Sequence, residues 1–185
     1  MRNTPVLPQW KSNRLILRAL WPSDVLDIFH LRMDERLFQY LDRSPYETVE
    51  QASEFIKNIN DGVHYGHWFM WALEHRGAGK VIGTVCLWNF NPNEQAAELG
   101  YELHPDFQGE GLMQETVRTV LHYGFSTLGL AVVFAYTNAN HLKSIRLLER
   151  NHFRRKRFIE EMNKKGTTSL MSLYQLQKED FEPFN

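Results

Sequence analysis

The chain has 185 residues, 43% of them hydrophobic and 23% charged, and 21 basic against 22 acidic residues leave a formal net charge of −1. At about 150 residues per domain this is one domain, with enough surface to bury that it folds without staples. The composition excludes a disordered, collagenous or disulfide-scaffold protein, and the balanced charge gives no global pull toward nucleic acid.

Residues 1–13 hold two prolines and no periodicity, and read as an arm ahead of one domain over 14–185. The opening MRNTPVLPQWK has no apolar h-region, which argues against secretion and for a cytoplasmic protein. The longest apolar runs, such as Phe69 to Leu73, are far shorter than the ~18 residues of a membrane span. Arg14 to Ala19 is a short apolar run edged by arginines, a first strand. Pro22-Ser23-Asp24 opens a helix with Ser23 as N-cap and with Val25, Ile28 and Phe29 on one face. A further turn or two over Asp34 to Leu41 runs into the Ser44-Pro45 break. Thr48 and Gln51 make a capping box for a helix carrying Ala52, Phe55, Ile56 and Ile59, which Asp61-Gly62 ends.

The middle third is aromatic and β-branched. His67 to His75 and Lys80 to Phe90 are strands around the turn Gly77-Ala-Gly79, and Asn91-Pro-Asn93 is the next turn. Ala97, Leu99, Tyr101 and Leu103 then alternate with Glu98, Gly100 and Glu102, a strand with one apolar face. Short loops make these three strands antiparallel neighbours. His104 to Glu110 is a loop, Leu112 to Phe125 an amphipathic helix, and Leu130 to Thr137 a buried strand. Ser144 to Arg150 is helical. Phe153 to Met162 and Thr168 to Gln177 form a hairpin about Asn163-Lys-Lys-Gly166. The order β α α β β β α β α β β, with no repeat and no linker, describes an α/β (α+β) domain.

The chemistry gathers in Glu98-Leu-Gly-Tyr-Glu-Leu-His-Pro-Asp-Phe-Gln-Gly-Glu-Gly-Leu-Met113, followed at once by a helix. Gly109 and Gly111 allow a tight turn that leaves the amides bare, and the helix N-terminus behind them attracts an anion such as a pyrophosphate. Neither a Walker loop nor a dinucleotide fingerprint fits: no G-x-x-x-x-G-K-[ST] occurs, and Gln114 stands where the third glycine belongs. Eight histidines invite a metal reading, but His64 and His67 have no second pair or HExxH beside them, and Cys86 is the only cysteine. No metal is expected.

Gln108-Gly-Glu-Gly111 resembles the [QR]-x-x-G-x-[GA] signature of the GNAT acyl-CoA N-acyltransferases. Arg14-Leu-Ile-Leu-Arg18, Val81-Ile-Gly-Thr84, Ala97-Glu-Leu-Gly-Tyr101 and Ser144-Ile-Arg-Leu-Leu-Glu-Arg150 are similar, more narrowly, to the branch that acetylates ribosomal-protein N-termini (RimJ/RimL type). The resemblance covers about residues 12–177. It implies a central, mostly antiparallel mixed sheet of about seven strands flanked by about four helices. It also implies acetyl-CoA as co-substrate, with the pyrophosphate on the amides of Gln108, Gly109, Glu110, Gly111, Leu112 and Met113. The pantetheine arm would pair with backbone at Tyr101 and Leu103, an edge whose N–H groups also suit an oxyanion, and Asn140 and His141 would complete the cofactor side. The departures are Met113 at the end of the loop signature, His141 in place of an asparagine, and His152 in place of a glycine.

The resemblance implies direct attack of a primary amine on the thioester. An α-amino group of pKa ~7.7–8.0 is roughly 10–20% neutral at pH 7 against about 0.04% for a lysine, so a protein N-terminus asks least of a base. Glu98, through a water, is the candidate base, and a solvent-facing carboxylate is the alternative. A water or tyrosine arrangement could supply the base instead. Ser144 matches the position that approaches the sulfur, and an N-cap serine is the plain alternative. Tyr123 and Tyr136 are further candidate acids that read rather as core, as does the group Trp68, Phe69, Trp71 and Trp88. Between 141 and 165, nine basic residues stand against three acidic, including Arg154-Arg-Lys-Arg157. This stretch suits the CoA 3′-phosphate, ribosomal RNA near a ribosomal substrate, or a charged edge strand. Three functions remain in competition: acetylation of a protein N-terminus, acetylation of a small amine such as an antibiotic, polyamine or aminoacyl conjugate, and a non-catalytic acyl-CoA-binding module. A homodimer is compatible with such folds, and no membrane partner is expected.

Overall fold

The computed structural model describes residues 7–40, 44–162 and 168–182. In chain order the strands are β1 (Trp10–Lys11), β2 (Leu15–Arg18), β3 (Phe69–His75), β4 (Lys80–Asn91), β5 (Ala96–Leu103), β6 (Val132–Asn138), β7 (Arg154–Met162) and β8 (Thr168–Gln177). The helices are α1 (Val25–Met33), α2 (Val49–His64), α3 (Leu112–Ser126) and α4 (Leu142–Arg150). Among the described residues these eight strands form one sheet in the order β1-β2-β3-β4-β5-β6-β8-β7. Neighbours are antiparallel except β5 and β6, which run parallel.

Each sheet face has its own core. Trp71, Leu87, Leu99, Val133 and Tyr174 pack against Val117, Leu121 and Phe125 of α3 and Leu148 of α4. On the other face Ala72 and Val81 pack against Ile28, Leu31, Ala52 and Ile56 of α1 and α2. These two helices cover β2 to β4 and, through Arg32, Glu102 near the end of β5; among the described residues they do not reach Trp88 or Tyr136. Tyr136 and Trp88, expected in the core, are therefore 45% and 43% exposed.

Three expectations change on contact with the structure. The arm is partly ordered into the sheet: β1 pairs with β2, the Trp10 ring lies tilted against Trp71 at 5.3 Å, and the Trp71 indole N–H donates to Pro8 O at 2.8 Å. Ser23 is exposed, and Asp24 closes the turn instead, accepting from the Trp21 N–H at 2.7 Å while its carboxylate grips Arg18 at 2.7 Å. Arg18 also holds Glu74 at 2.6 Å, so this buried triad fastens α1 to β2 and β3. Gly62 does not end α2, which runs on to His64; the glycine instead lets the Trp68 ring lie directly on the helix. The Thr48–Gln51 box is present, Gln51 Oε1 accepting from the Thr48 N–H at 3.1 Å. The turn expected at 163–166 lies outside the described residues, while the strands that flank it pair as expected.

Candidate active site

Two neighbouring strands come apart at the centre of the sheet. β5 and β6 pair only over Ala96–Val132, Ala97–Val133 and Glu98–Phe134. Beyond Glu98, β5 keeps β4 alone and β6 keeps β8 alone. The His104 N–H donates to Ile82 O at 2.7 Å. Strand alternation from this bond turns the backbone of residues 100 and 102 toward β4 and that of Tyr101 and Leu103 into the gap. Leu103 O receives the Gln108 side-chain amide there at 3.0 Å.

The chain then tightens into the glycine turn. Gly109 and Gly111 sit at φ 91° and 78°, the left-handed region where a Cβ is penalised. A Cβ built on Gly109 meets nothing within 4 Å, so this position needs the glycine for its backbone angle rather than for space. In α3 the first helical bond runs from the Glu115 N–H to Gly111 O at 3.1 Å, which leaves the amides of residues 112–114 ahead of it. These are orphan donors at the positive end of a 15-residue helix. Arg14 holds the turn from outside, donating to Glu110 O at 2.7 Å and pairing with Glu115 at 2.8 Å. The Met113 side chain is buried at 7% exposure, so the departure from Gly or Ala leaves its amide clear.

Between this turn and α4 lies a cleft of about 430 Å³. Its walls bring together Tyr101, Leu103, Gln108, Gly109, Gly111, Leu112, Met113, His141 and Ser144 of the expected residues. Tyr101 and Ser144 join hydroxyls at 2.8 Å, and burial pushes the Tyr101 phenol up to about 12. His141 stacks on Tyr40 at 4.4 Å, and burial, then Lys143, hold its imidazole below the usual range. Three expected residues stand outside: Glu110 and Asn140 are exposed, Asn140 taking a bond from its own N–H to Asn138 Oδ1, and Glu98 faces the other side of the sheet. The sequence reading counted Lys143, Arg146 and Arg150 only within the basic stretch 141–165 and did not single them out; they line the cleft from one side of α4. Their spacing of three and four residues was the available signal. Lys143 Nζ also reaches Gln108 Oε1 at 3.0 Å.

On the open face, Glu98 occupies the last shared rung of β5 and β6, with Trp88 beside it on β4 and Phe134 on β6. Burial pushes its carboxyl above the ordinary range, a bond from the Asn89 amide at 3.4 Å pulls it down, and Glu161 pushes it up. Two rungs on, Glu102 is held by Arg32 at 2.8 Å and by the Thr84 hydroxyl at 3.1 Å. Cys86, paired with Gly100, has its thiol pushed up to about 12 by burial. Among the described residues no three His, Cys, Asp or Glu side chains gather as metal ligands.

The model of the acetyltransferase (GNAT) domain matches residues 14–154. The chain belongs to the GNAT acetyltransferase family. It is 28% identical over 174 residues to the uncharacterized N-acetyltransferase YoaA of Bacillus subtilis (strain 168), covering 94% of this chain and 98% of that one. Its fold superposes on the ribosomal-protein-S5-alanine acetyltransferase of Vibrio fischeri with a TM-score of 0.84 at 19% identity, over 95% and 100% of the two chains. The spermidine N-acetyltransferase of Vibrio cholerae, solved with CoA and spermine, follows at a TM-score of 0.78 and 22% identity, over 91% and 98%. This GNAT protein is thus an acetyl-CoA-dependent N-acetyltransferase.

Proposed function

We propose that this acetyltransferase modifies the α-amino group of a protein N-terminus, a ribosomal protein being the substrate class, with Glu98 as base and the Tyr101–Ser144 pair at the sulfur. The observation that carries the reading is the opposition across the gap. Glu98 stands on the open face at the point where β5 and β6 separate, and the paired hydroxyls stand on the other face, inside the cleft.

The residues present fit acetyl-CoA: bare amides at 112–114, cations at Lys143, Arg146 and Arg150, and two outward strand N–H groups at Tyr101 and Leu103. The first two sets would hold the phosphates, together with Gln108 and the glycine turn, and the strand would hold the amide arm. Acetyl-CoA supplies an acetyl group on a good leaving thiol. Glu98, ionising at a higher pH than an ordinary carboxyl, takes the proton of the entering ammonium, directly or through a water. The freed nitrogen lone pair forms the amide bond as the carbon–sulfur bond breaks, and the second proton this nitrogen must lose passes to water. Tyr101 stays protonated because burial raises its pKa, and it or Ser144 gives a proton at the sulfur. His141, its imidazole held below the usual range, lies in the same wall as Ser144.

The acceptor class follows from what surrounds Glu98. Trp88, Phe134 and Tyr136 line the same sheet face, a surface for a peptide backbone and an apolar first side chain. Glu102 is neutralised by Arg32, and the α4 wall is basic, so a polycation meets few free carboxylates. The two structural relatives bracket the choice, one named for a ribosomal-protein alanine and the other for spermidine. The test is acetyl-CoA-dependent thiol release with peptides beginning Ser, Ala or Thr beside free lysine, spermidine and aminoglycosides. Turnover on peptides, with little on the others, is expected. Turnover confined to spermidine or an aminoglycoside would reassign the acceptor.

A further inference from the structure

β4 and β5 lose register next to Glu98. Trp88 pairs with Glu98, and the next pair is Asn91 with Ala96, so β4 spends three steps where β5 spends two. The extra residue is a β-bulge. In an unbroken ladder Asn89 would oppose Ala97, whose side chain lies in the α3 core. The bulge instead leaves Leu87 and Phe90 on the core side, with Trp88 and Asn89 both exposed. Asn89 adopts φ 50°, a left-handed angle that a side chain other than glycine adopts at a cost. What this geometry achieves is one contact: Asn89 Nδ2 donates to Glu98 Oε2 at 3.4 Å.

We propose that the 88–91 bulge exists to bring the Asn89 amide onto Glu98, making Asn89 a positioning residue that orients and sustains the ionised base. This rests on the reading of Glu98 given above. The bond engages one carboxylate oxygen, Oε2, and fixes the plane of the group so that Oε1 meets the proton. It also favours the charged form over the neutral one, because an amide N–H binds a carboxylate more strongly than a carboxyl oxygen. The other groups on this face include Cys86 and Trp88 from β4, Phe134 and Tyr136 from β6, Arg157 and Glu161 from β7, and Glu102 along β5, which Arg32 occupies. Of these, Glu161 acts on Glu98 in the opposite direction to Asn89. The amide therefore offsets both burial and a second carboxylate.

Two variants separate this role from a structural one. Asn89→Gly keeps the left-handed angle, and relieves it, while removing the amide. Asn89→Asp keeps a residue tolerant of that angle and replaces the donor with a like charge. Both are compared with the parent by the pH profile of kcat/KM on one N-terminal peptide, whose own amine titration is common to all three. The ¹³C titration of the Glu98 carboxyl and the melting temperature accompany it. In Asn89→Gly the Glu98 titration and the acid limb move to higher pH by about half a unit, plateau turnover falls several-fold, and the melting temperature is unchanged or higher. In Asn89→Asp the shift reaches about one unit or more. Should Glu98→Gln abolish the limb while both Asn89 variants superpose on the parent, the positioning role is overturned and the base stands. If Glu98→Gln leaves the profile unchanged, the base assignment falls and takes this role with it.

Discussion

The two sides of the β5–β6 gap are made in different ways. The cleft side comes from one contiguous stretch, the end of β5, the glycine turn and the first turn of α3, closed by α4. The Glu98 side is assembled from β4, β5, β6 and β7, residues that meet only because the sheet register is correct. A turn-and-helix anion site is specified locally, by backbone angles and unpaired amides. A base on an open sheet face depends on packing far away. Damage on the first side should therefore stay confined to donor binding, and damage on the second should spread to stability and to both substrates.

Arg18 gives the strongest test of that spread. It binds Asp24 and Glu74, with Arg18 and Asp24 side chains each 6% exposed. Arg18→Met strands Asp24 without its partner and is expected to cost about 3–5 kcal/mol in urea unfolding, although the residue touches neither substrate site. A loss below 1 kcal/mol would show that the α1–β2–β3 junction does not carry the open face. Glu98→Gln is expected to lower kcat/KM by about 10²–10³ with the fold intact. Because burial raises the Glu98 pKa, the base form is lost as pH falls through a value above the ordinary carboxyl range, and that acid limb should vanish in the variant. On the cleft side, Gly111→Ala places a Cβ at φ 78° and is expected to raise the KM for acetyl-CoA about tenfold, the acceptor KM staying unchanged. Equal changes in both KM values would erase the distinction between the sides. The smallest effect lies outside both: His152 sits at φ 64°, and His152→Gly should stabilise the protein by about 1 kcal/mol at unchanged turnover, read as a rise in melting temperature.

The sequence showed the cleft side well because its physics is local. Gln108 to Gly111 before an amphipathic helix needs no distant partner to be recognised, while Ser144 came from the resemblance and is the third residue of α4, whose N-cap is His141. The glycine usual at position 152 also has its reason in the structure, a left-handed angle that His152 occupies here. The open face was harder to read. Trp88 and Tyr136 look like core residues until it is known that α1 reaches β5 only at Glu102, through Arg32, and leaves this part of the face exposed. Asn89 gave only a faint sign, two polar-side residues between Leu87 and Phe90 where a strand should alternate. β1 escaped notice because two residues make no pattern, and Trp10 is drawn in by Trp71 and Tyr123 rather than by its neighbours. Asp24 displaced Ser23 at the helix start because Arg18, six residues earlier, needed a carboxylate.

Cys86 bears on how this enzyme can be handled. The chain has one cysteine, and burial pushes its thiol up to about 12. Since the thiolate is the reactive form, little of it is present at pH 8. Chromogenic disulfide reagents added during turnover will therefore report the CoA thiol and little else, with no need to replace or block the protein's own sulfur. A maleimide dye will label a cysteine introduced on the surface rather than Cys86, and preparations left in air should not cross-link.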